Sequence, residues 1–357
     1  MQQNKHQKKS EIFAIDLFCG AGGLTKGLEQ AGIKVLAGID IDKACKYPYE
    51  ENNGSIYIQK DVSEIKAEEL AKLYPRNSVR VLVGCAPCQP FSTYSNRYDM
   101  KRDNKWTLLS QFKRLVEEIR PDVVSMENVP KLKHKTVFAD FVKTLREMEY
   151  SVSYGLVNCE DYGVPQTRKR LVLLASKFGD IKLIEPTNTK NRTTVRDVIS
   201  DLPKIKAGET DPDDKLHSSN NLSPLNLKRI RASKEGGTWR DWPQELLAEC
   251  HKKRSGASFH AVYGRMSWDK PSPTITTQCT GFGNGRFGHP EQDRAISLRE
   301  AAILQTFPKS YKFIDPRSEF IKNDISRMIG NAVPVRLGEV IGISIIKHIT
   351  WKKRNID

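Results

Sequence analysis

Strand and helix signals alternate from Phe13 to Ala175 and predict an α/β fold: a doubly wound, mostly parallel sheet covered by helices. Three observations carry this. Short apolar runs recur along the segment, continuous rather than alternating, as in strands buried on both faces. A glycine-rich turn follows the first of them. From about Pro186 the pattern dissolves into Asn-, Thr-, Asp-, Pro- and Gly-rich sequence, which predicts a smaller, loop-rich unit with short strands.

The first run, Phe13-Ala14-Ile15-Asp16-Leu17-Phe18, leads into Cys19-Gly20-Ala21-Gly22-Gly23-Leu24 and then a helical segment ending at Gly32. Strand, glycine turn and helix together let a backbone approach a ligand closely. The spacing is not G-x-G-x-x-G, and no G-x-x-x-x-G-K-[ST] occurs. A second strand, Lys34 to Ile39, closes on Asp40, where such folds place a ribose-binding acid. A third, Ile56 to Lys60, precedes Asp61. Either acid alone reads as a helix cap; their succession after consecutive strands points to a ligand.

Val79 to Gly84 is the next buried strand, and beyond its tip stands Pro87-Cys88-Gln89-Pro90-Phe91-Ser92. The two prolines bar regular structure and stiffen the loop, which suits a nucleophile; an inert thiol is the plain alternative. Helices over Leu108 to Ile119 and Phe138 to Met148 flank a strand at Pro121 to Ser125. That strand delivers Met126-Glu127-Asn128-Val129-Pro130, a carboxylate within reach of the same substrate. Gln166-Thr167-Arg168-Lys169-Arg170 sets cations before a further strand, Leu171 to Ala175. Helices are expected again over Ser297 to Gln305 and Pro334 to Ile349.

With these segments in order, joined by Arg299-Glu300-Ala301-Ala302-Ile303-Leu304-Gln305-Thr306-Phe307-Pro308 and Ile329-Gly330-Asn331-Ala332-Val333-Pro334, the chain strongly resembles the bacterial DNA cytosine-5 methyltransferases. The resemblance spans nearly the whole chain, apart from Ile184 to Val262, where that family carries its variable target-recognition segment. It implies a Rossmann-like S-adenosylmethionine-dependent methyltransferase domain over 1–187, completed by 322–357, with a loop-rich target-recognition domain and hinge over 188–321.

The implied activity is methyl transfer from S-adenosylmethionine to carbon 5 of a flipped cytosine in double-stranded DNA, through a covalent cysteine adduct. By resemblance, Cys88 is the nucleophile and Glu127 holds the cytosine N3 and amino edge. Arg170 meets the cytosine carbonyl, Arg168 binds nearby backbone, and Gln166 supports them. Cofactor contacts fall at Phe18, Gly20, Ala21, Gly22, Gly23 and Leu24. The ribose is expected at Asp40, and the adenine at Asp61 with Ile41 and Val62. The methionine end lies near Pro87, Leu108, Asn331 and Ala332. Ile41 departs from the family, since many relatives stack an aromatic there. Ser92, Arg229, Arg231, Thr274 and Arg286 are expected against DNA, with Arg286 in the glycine-rich loop Thr280 to His289.

The formal net charge of +15 asks for a polyanionic partner. With no run of 18 apolar residues and no signal-peptide core, a soluble, intracellular protein is expected; the resemblance further implies a cytoplasmic, nucleoid-associated prokaryotic monomer, with a cognate restriction endonuclease or related defence system acting on the same site. The seven scattered cysteines do not form a disulfide framework. Cys85-Ala86-Pro87-Cys88 lacks further ligands, so no metal is expected and Cys85 reads as a packing residue. An RNA enzyme of the same fold would carry a Cys-Phe-Thr signature, which is absent. A catalytically silent DNA-binding regulator would not need an intact Cys88, Glu127 and glycine loop.

Overall fold

The computed structural model describes residues 11–87, 107–253, 256 and 261–354, so Cys88 and Ser92 lie outside the described residues. The chain runs β1 (Ile12–Leu17), α1 (Gly23–Ala31), β2 (Lys34–Asp40), α2 (Lys46–Asn52), β3 (Ile56–Gln59), α3 (Ala67–Ala71), β4 (Val79–Gly84), α4 (Thr107–Ile119), β5 (Val123–Asn128), α5 (Thr136–Glu147), β6 (Ser151–Asn158), β7 (Gln166–Thr167) and β8 (Lys169–Ser176). It continues with α6 (Val195–Ile199), α7 (Pro224–Ala232), α8 (Glu249–Lys252), β9 (Ser272–Pro273), α9 (Leu298–Leu304), α10 (Lys322–Asn331) and α11 (Val335–Arg354).

The main sheet has the order β3-β2-β1-β4-β5-β8-β6. β1 to β5 are parallel; β8 runs antiparallel to β5, and β6 antiparallel to β8. From β1 the chain winds outward through β2 and β3, then restarts at β4 and winds the other way. The tips of β1 and β4 therefore flank a topological switch point, where sheets of this kind bind ligands.

Successive strand residues point to opposite faces, and the apolar runs fill both. Phe13, Ile15, Leu17, Leu82 and Val124 join Phe112 of α4 and Phe138 of α5 on one side. Ala14, Val81, Val83 and Val123 join Leu28 of α1 and Leu337, Val340 and Ile341 of α11 on the other. The backbones of α1 and α11 nearly touch: a Cβ on Gly27 would stand 2.2 Å from the Val335 carbonyl oxygen. The stretch Lys322–Trp351 is long and apolar enough by composition to cross a membrane, but 67% of its most apolar window is buried inside the protein, as a core helix would be.

A further core joins Cys19, Ala21, Tyr49 and Tyr57 to residues from Val195 to Val335, including Trp268, Ile275, Phe307 and Tyr311. The boundaries expected at 187/188 and 321/322 thus run through continuous packing. A core belonging to the second region alone is smaller, built on Ile230, Trp239, Trp242, Phe282 and Ala295. α9 is fixed at its start by a capping box between Ser297 and Glu300. Glu300 also receives Arg294 through two 2.7 Å bonds. Burial pushes the Glu300 pKa up, but Arg294 outweighs it and holds the carboxyl at about 2.

Candidate active site

The tips of β1, β2, β4 and β5 open onto a cleft of about 490 Å³, within the range of small-ligand sites. Its walls come from the glycine turn, Asp40 to Asp42, Cys85 to Pro87, Leu108, Glu127 to Val129, Arg168, Arg170 and the segment from Arg327 to Val333. The switch point gathers the parallel strand tips, the antiparallel β8 brings Arg170, and packing of α10 adds the segment from Arg327.

At the β1 end, Phe18 has φ +60° and Gly20 φ +53°, so the turn is wound tightly at the sheet edge. The Gly20 amide donates to Asp40 Oδ2 at 2.9 Å, and Asp42 N to Asp40 Oδ1 at 3.0 Å, which fixes the carboxylate at the β2 tip. A Cβ on Gly20 would meet nothing within 4 Å, leaving its face open to a ligand. Gly22 and Gly23 serve packing: a Cβ there would stand 2.5 Å from the Asn53 amide nitrogen and 2.4 Å from the Val333 carbonyl oxygen. Asp16, buried beneath the turn, accepts from Thr25 at 2.8 Å through Oδ2, while Oδ1 has no hydrogen-bond partner. Burial raises its pKa to about 7.

Of the residues expected at the cofactor, Phe18, Gly20, Ala21, Leu24, Asp40, Ile41, Pro87, Leu108, Asn331 and Ala332 line the cleft. Asp61 and Val62 stand at the β3 tip outside this lining. Asp61 accepts from Ser63 N at 2.8 Å and Ser63 Oγ at 2.7 Å as a local cap, and Val62 is core. Ile41 is 65% exposed at the rim.

At the other end, Glu127 is buried at the β5 tip. Cys85 Sγ donates to its Oε2 at 2.9 Å. Arg170 Nε lies 2.9 Å from Oε1, an ion pair whose N–H is not aimed for a hydrogen bond. Asn128 Nδ2 donates to Ala86 O at 2.9 Å and ties the β4 exit to the β5 exit. Arg168 is buried with Nη1 on Ile275 O at 3.0 Å and Nη2 on Ala332 O at 3.2 Å; its Nε has no hydrogen-bond partner. Burial, with the charge of Arg170, lowers the Arg168 pKa to about 9, so it remains a cation at neutral pH. Gln166 is wholly engaged inside the protein. Its amide reaches Gln305 Oε1 at 3.0 Å and Leu304 O at 3.2 Å, and its oxygen accepts from Ile275 N at 2.9 Å.

Asp42 and Arg327 are absent from the sequence-based expectations yet line the cleft, joined by an ion pair from α10 to the β2 tip. Arg327 stands four residues before Asn331 on one helix, a spacing that would have found it. Asp16 and Cys85 also line the cleft, and no sequence pattern separates them from core residues.

Among the expected DNA contacts, Arg229 requires correction. Its guanidinium is buried over the rings of Trp242 and Tyr263, and its Nε donates to Leu246 O at 2.9 Å. Trp242 and Tyr263 stand beyond helical or strand spacing from Arg229, so the basic cluster gave no sign that one member turns inward. Arg231 is exposed beside Asp293. Thr274 Oγ1 donates to Thr167 O at 2.8 Å. Arg286 is half-buried against Gly264, with Nε lacking a hydrogen-bond partner.

The family model for C-5 cytosine-specific DNA methylases matches residues 12–347. The chain belongs to that family. A Type II methylase from Herpetosiphon aurantiacus, M.HgiDII, is 56% identical over 94% of this chain and 95% of its own length. The Type II methyltransferase M.Eco47II of Escherichia coli is 32% identical, covering 93% of this chain and 78% of its own. A prophage-encoded E. coli protein described as a DNA modification methyltransferase shares the fold at a TM-score of 0.72 and 22% identity, covering 95% and 100% of the two chains. This protein is accordingly a DNA (cytosine-5)-methyltransferase that uses S-adenosylmethionine and acts sequence-specifically on DNA.

Proposed function

We propose that Cys88 is the nucleophile of this DNA methylase and that Glu127 and Arg170 grip the cytosine beside it. The buried Glu127, flanked by Cys85 and Arg170 where the Cys88 loop leaves β4, is the observation that carries this reading. Carbon 5 of a neutral cytosine is a weak nucleophile, and addition of the Cys88 thiolate to carbon 6 makes it electron-rich. Glu127 hydrogen-bonds N3 and the amino edge as negative charge develops on the ring, and Arg170 meets the carbonyl. Arg168 and Gln166 act one step back, holding β7, the Ile275 backbone and the Ala332 carbonyl in place. Cys88 departs once the carbon 5 proton is lost to water or hydroxide.

S-adenosylmethionine, when bound, supplies an electrophilic methyl group on a sulfonium. The residues present fit it: Gly20 leaves an open cradle, Asp40 is held to meet a ribose, and the unpaired Asp16 Oδ1 suits the ammonium end. Phe18, Ala21, Leu24, Ile41, Leu108, Pro87, Asn331 and Ala332 complete the pocket; Asp61, at the β3 tip outside this lining, would have to turn from Ser63 to meet the adenine.

A stacked cytosine cannot present carbon 6, so the base is flipped into the cleft. Residues 188–321 read the target, with Arg231, Thr274 and Arg286 nearest the DNA. The kinship with Type II enzymes supports a restriction-modification setting; a cognate endonuclease or defence system acting on the same site, and a cytoplasmic monomer working on the nucleoid, complete the proposal. Single-base methylation sequencing of DNA from cells expressing the chain tests this reading. 5-Methylcytosine at one short sequence, absent with Cys88→Ala, is expected; methylation that is random in sequence or survives this variant would overturn it.

A further inference from the structure

We propose that Cys85 is a positioning residue that holds the Glu127 carboxylate in its working orientation through its thiol. The proposal rests on the assignment of Glu127 to the cytosine edge. β4 and β5 pair in parallel with Val83 opposite Ser125 and Gly84 opposite Met126. Carried one residue past the strand ends, that register sets Cys85 beside Glu127, and the thiol closes the gap with its 2.9 Å bond to Oε2. The next pair along is joined too, by the Asn128 amide on Ala86 O. Two successive links therefore hold the exits of the two strands that carry the nucleophile loop and the acid.

A carboxylate on a terminal sp³–sp² torsion turns broadly about its last bond. Arg170, facing Oε1 without hydrogen-bond alignment, leaves that torsion weakly defined. A donor on Oε2 defines it and keeps the Oε1 edge toward Arg170. A thiol suits this task because its S–H is a weak donor: it orients the oxygen yet leaves acceptor capacity for a substrate amino group. The sequence alone would leave Cys85 as filling; what distinguishes it is the aim of its sulfur.

The test is single-turnover methyl transfer, with S-adenosylmethionine and DNA affinities measured separately, for Cys85→Ala, Cys85→Ser, Glu127→Gln and the double variant Cys85→Ala with Glu127→Gln. Cys85→Ala is expected to slow the step about tenfold, the scale of one hydrogen bond to a charged group, while both affinities change less than about twofold. Cys85→Ser, which keeps a donor, recovers most of the rate. In the Glu127→Gln background the further loss from Cys85→Ala shrinks to under about twofold, because the partner it orients is already altered. Equal loss in the Ala and Ser variants would show a packing role and overturn the proposal, as would an undiminished loss in the Glu127→Gln background. Weakened cofactor binding at an unchanged rate would make Cys85 a cofactor contact instead. Should Glu127→Gln itself transfer methyl at the full rate, the assignment of Glu127 fails, and the proposal falls with it for that separate reason.

Discussion

Asp16 carries a carboxyl group whose burial makes the stability of the fold depend on pH. Burial drives its pKa from 3.8 to about 7, with the Thr25 hydrogen bond pulling down and the Asp40 charge pushing up. The folded protein thus holds this proton more tightly than the unfolded chain does. Its contribution to stability is complete below about pH 4 and is lost as pH rises through about 7, up to roughly 4 kcal/mol. Asp16→Asn, which keeps an acceptor for Thr25, should raise the melting temperature of the cofactor-free protein, most at about pH 8 and progressively less toward pH 4. The same change should weaken S-adenosylmethionine binding in calorimetry, because an amide cannot offset an ammonium charge. A lower melting temperature at pH 8 would show that the buried carboxylate is favourably paired.

At the scale of elements, the crossing of α1 and α11 holds the glycine turn against Val333. A Cβ on Gly27 would stand 2.2 Å from Val335 O and 2.4 Å from Glu339 N, both backbone atoms that cannot swing away. Gly27→Ala is therefore expected to destabilise the protein by about 1–3 kcal/mol in urea titration and to weaken cofactor binding with it. A variant of wild-type stability would mean that the helices separate freely. Strands such as Val79–Gly84 were legible in the sequence because burial on both faces leaves an unbroken apolar run. β6 was not: it is an edge strand, Ser151–Asn158, whose side chains are mostly half-buried or exposed. The glycine turn, Asp40 and Glu127 were legible because strand tips carry the chemistry of this fold. Cys85, Arg327 and the inward turn of Arg229 were not, since each depends on a partner set by register or by packing between distant segments.

Over the whole molecule, the net charge of +15 supplies the attraction to DNA but no sequence preference. Preference requires side chains in a groove, and the aromatic core around Trp242 and Phe282 is the part of the second region that packs on itself alone. Exchanging residues 222–295 for those of a relative should move methylation to the relative's target, as read by methylation sequencing; an unchanged target would place recognition elsewhere. Within that span, Arg286→Ala should relax one base pair if its guanidinium reads a guanine, a discrimination of about 1–3 kcal/mol. Equal weakening at every site, with a shallower salt dependence, would make it a phosphate contact.

The proposed chemistry requires a cytosine held covalently by Cys88 while Glu127 grips its edge. A duplex carrying 5-fluorocytosine at the target tests that most directly, because fluorine cannot leave as the carbon 5 proton does. With S-adenosylmethionine present, wild-type enzyme should form a denaturant-resistant complex whose modified peptide maps to Cys88, and Cys88→Ala should form none. A complex that survives Cys88→Ala, with the modified peptide mapping to Cys85, would contradict the account.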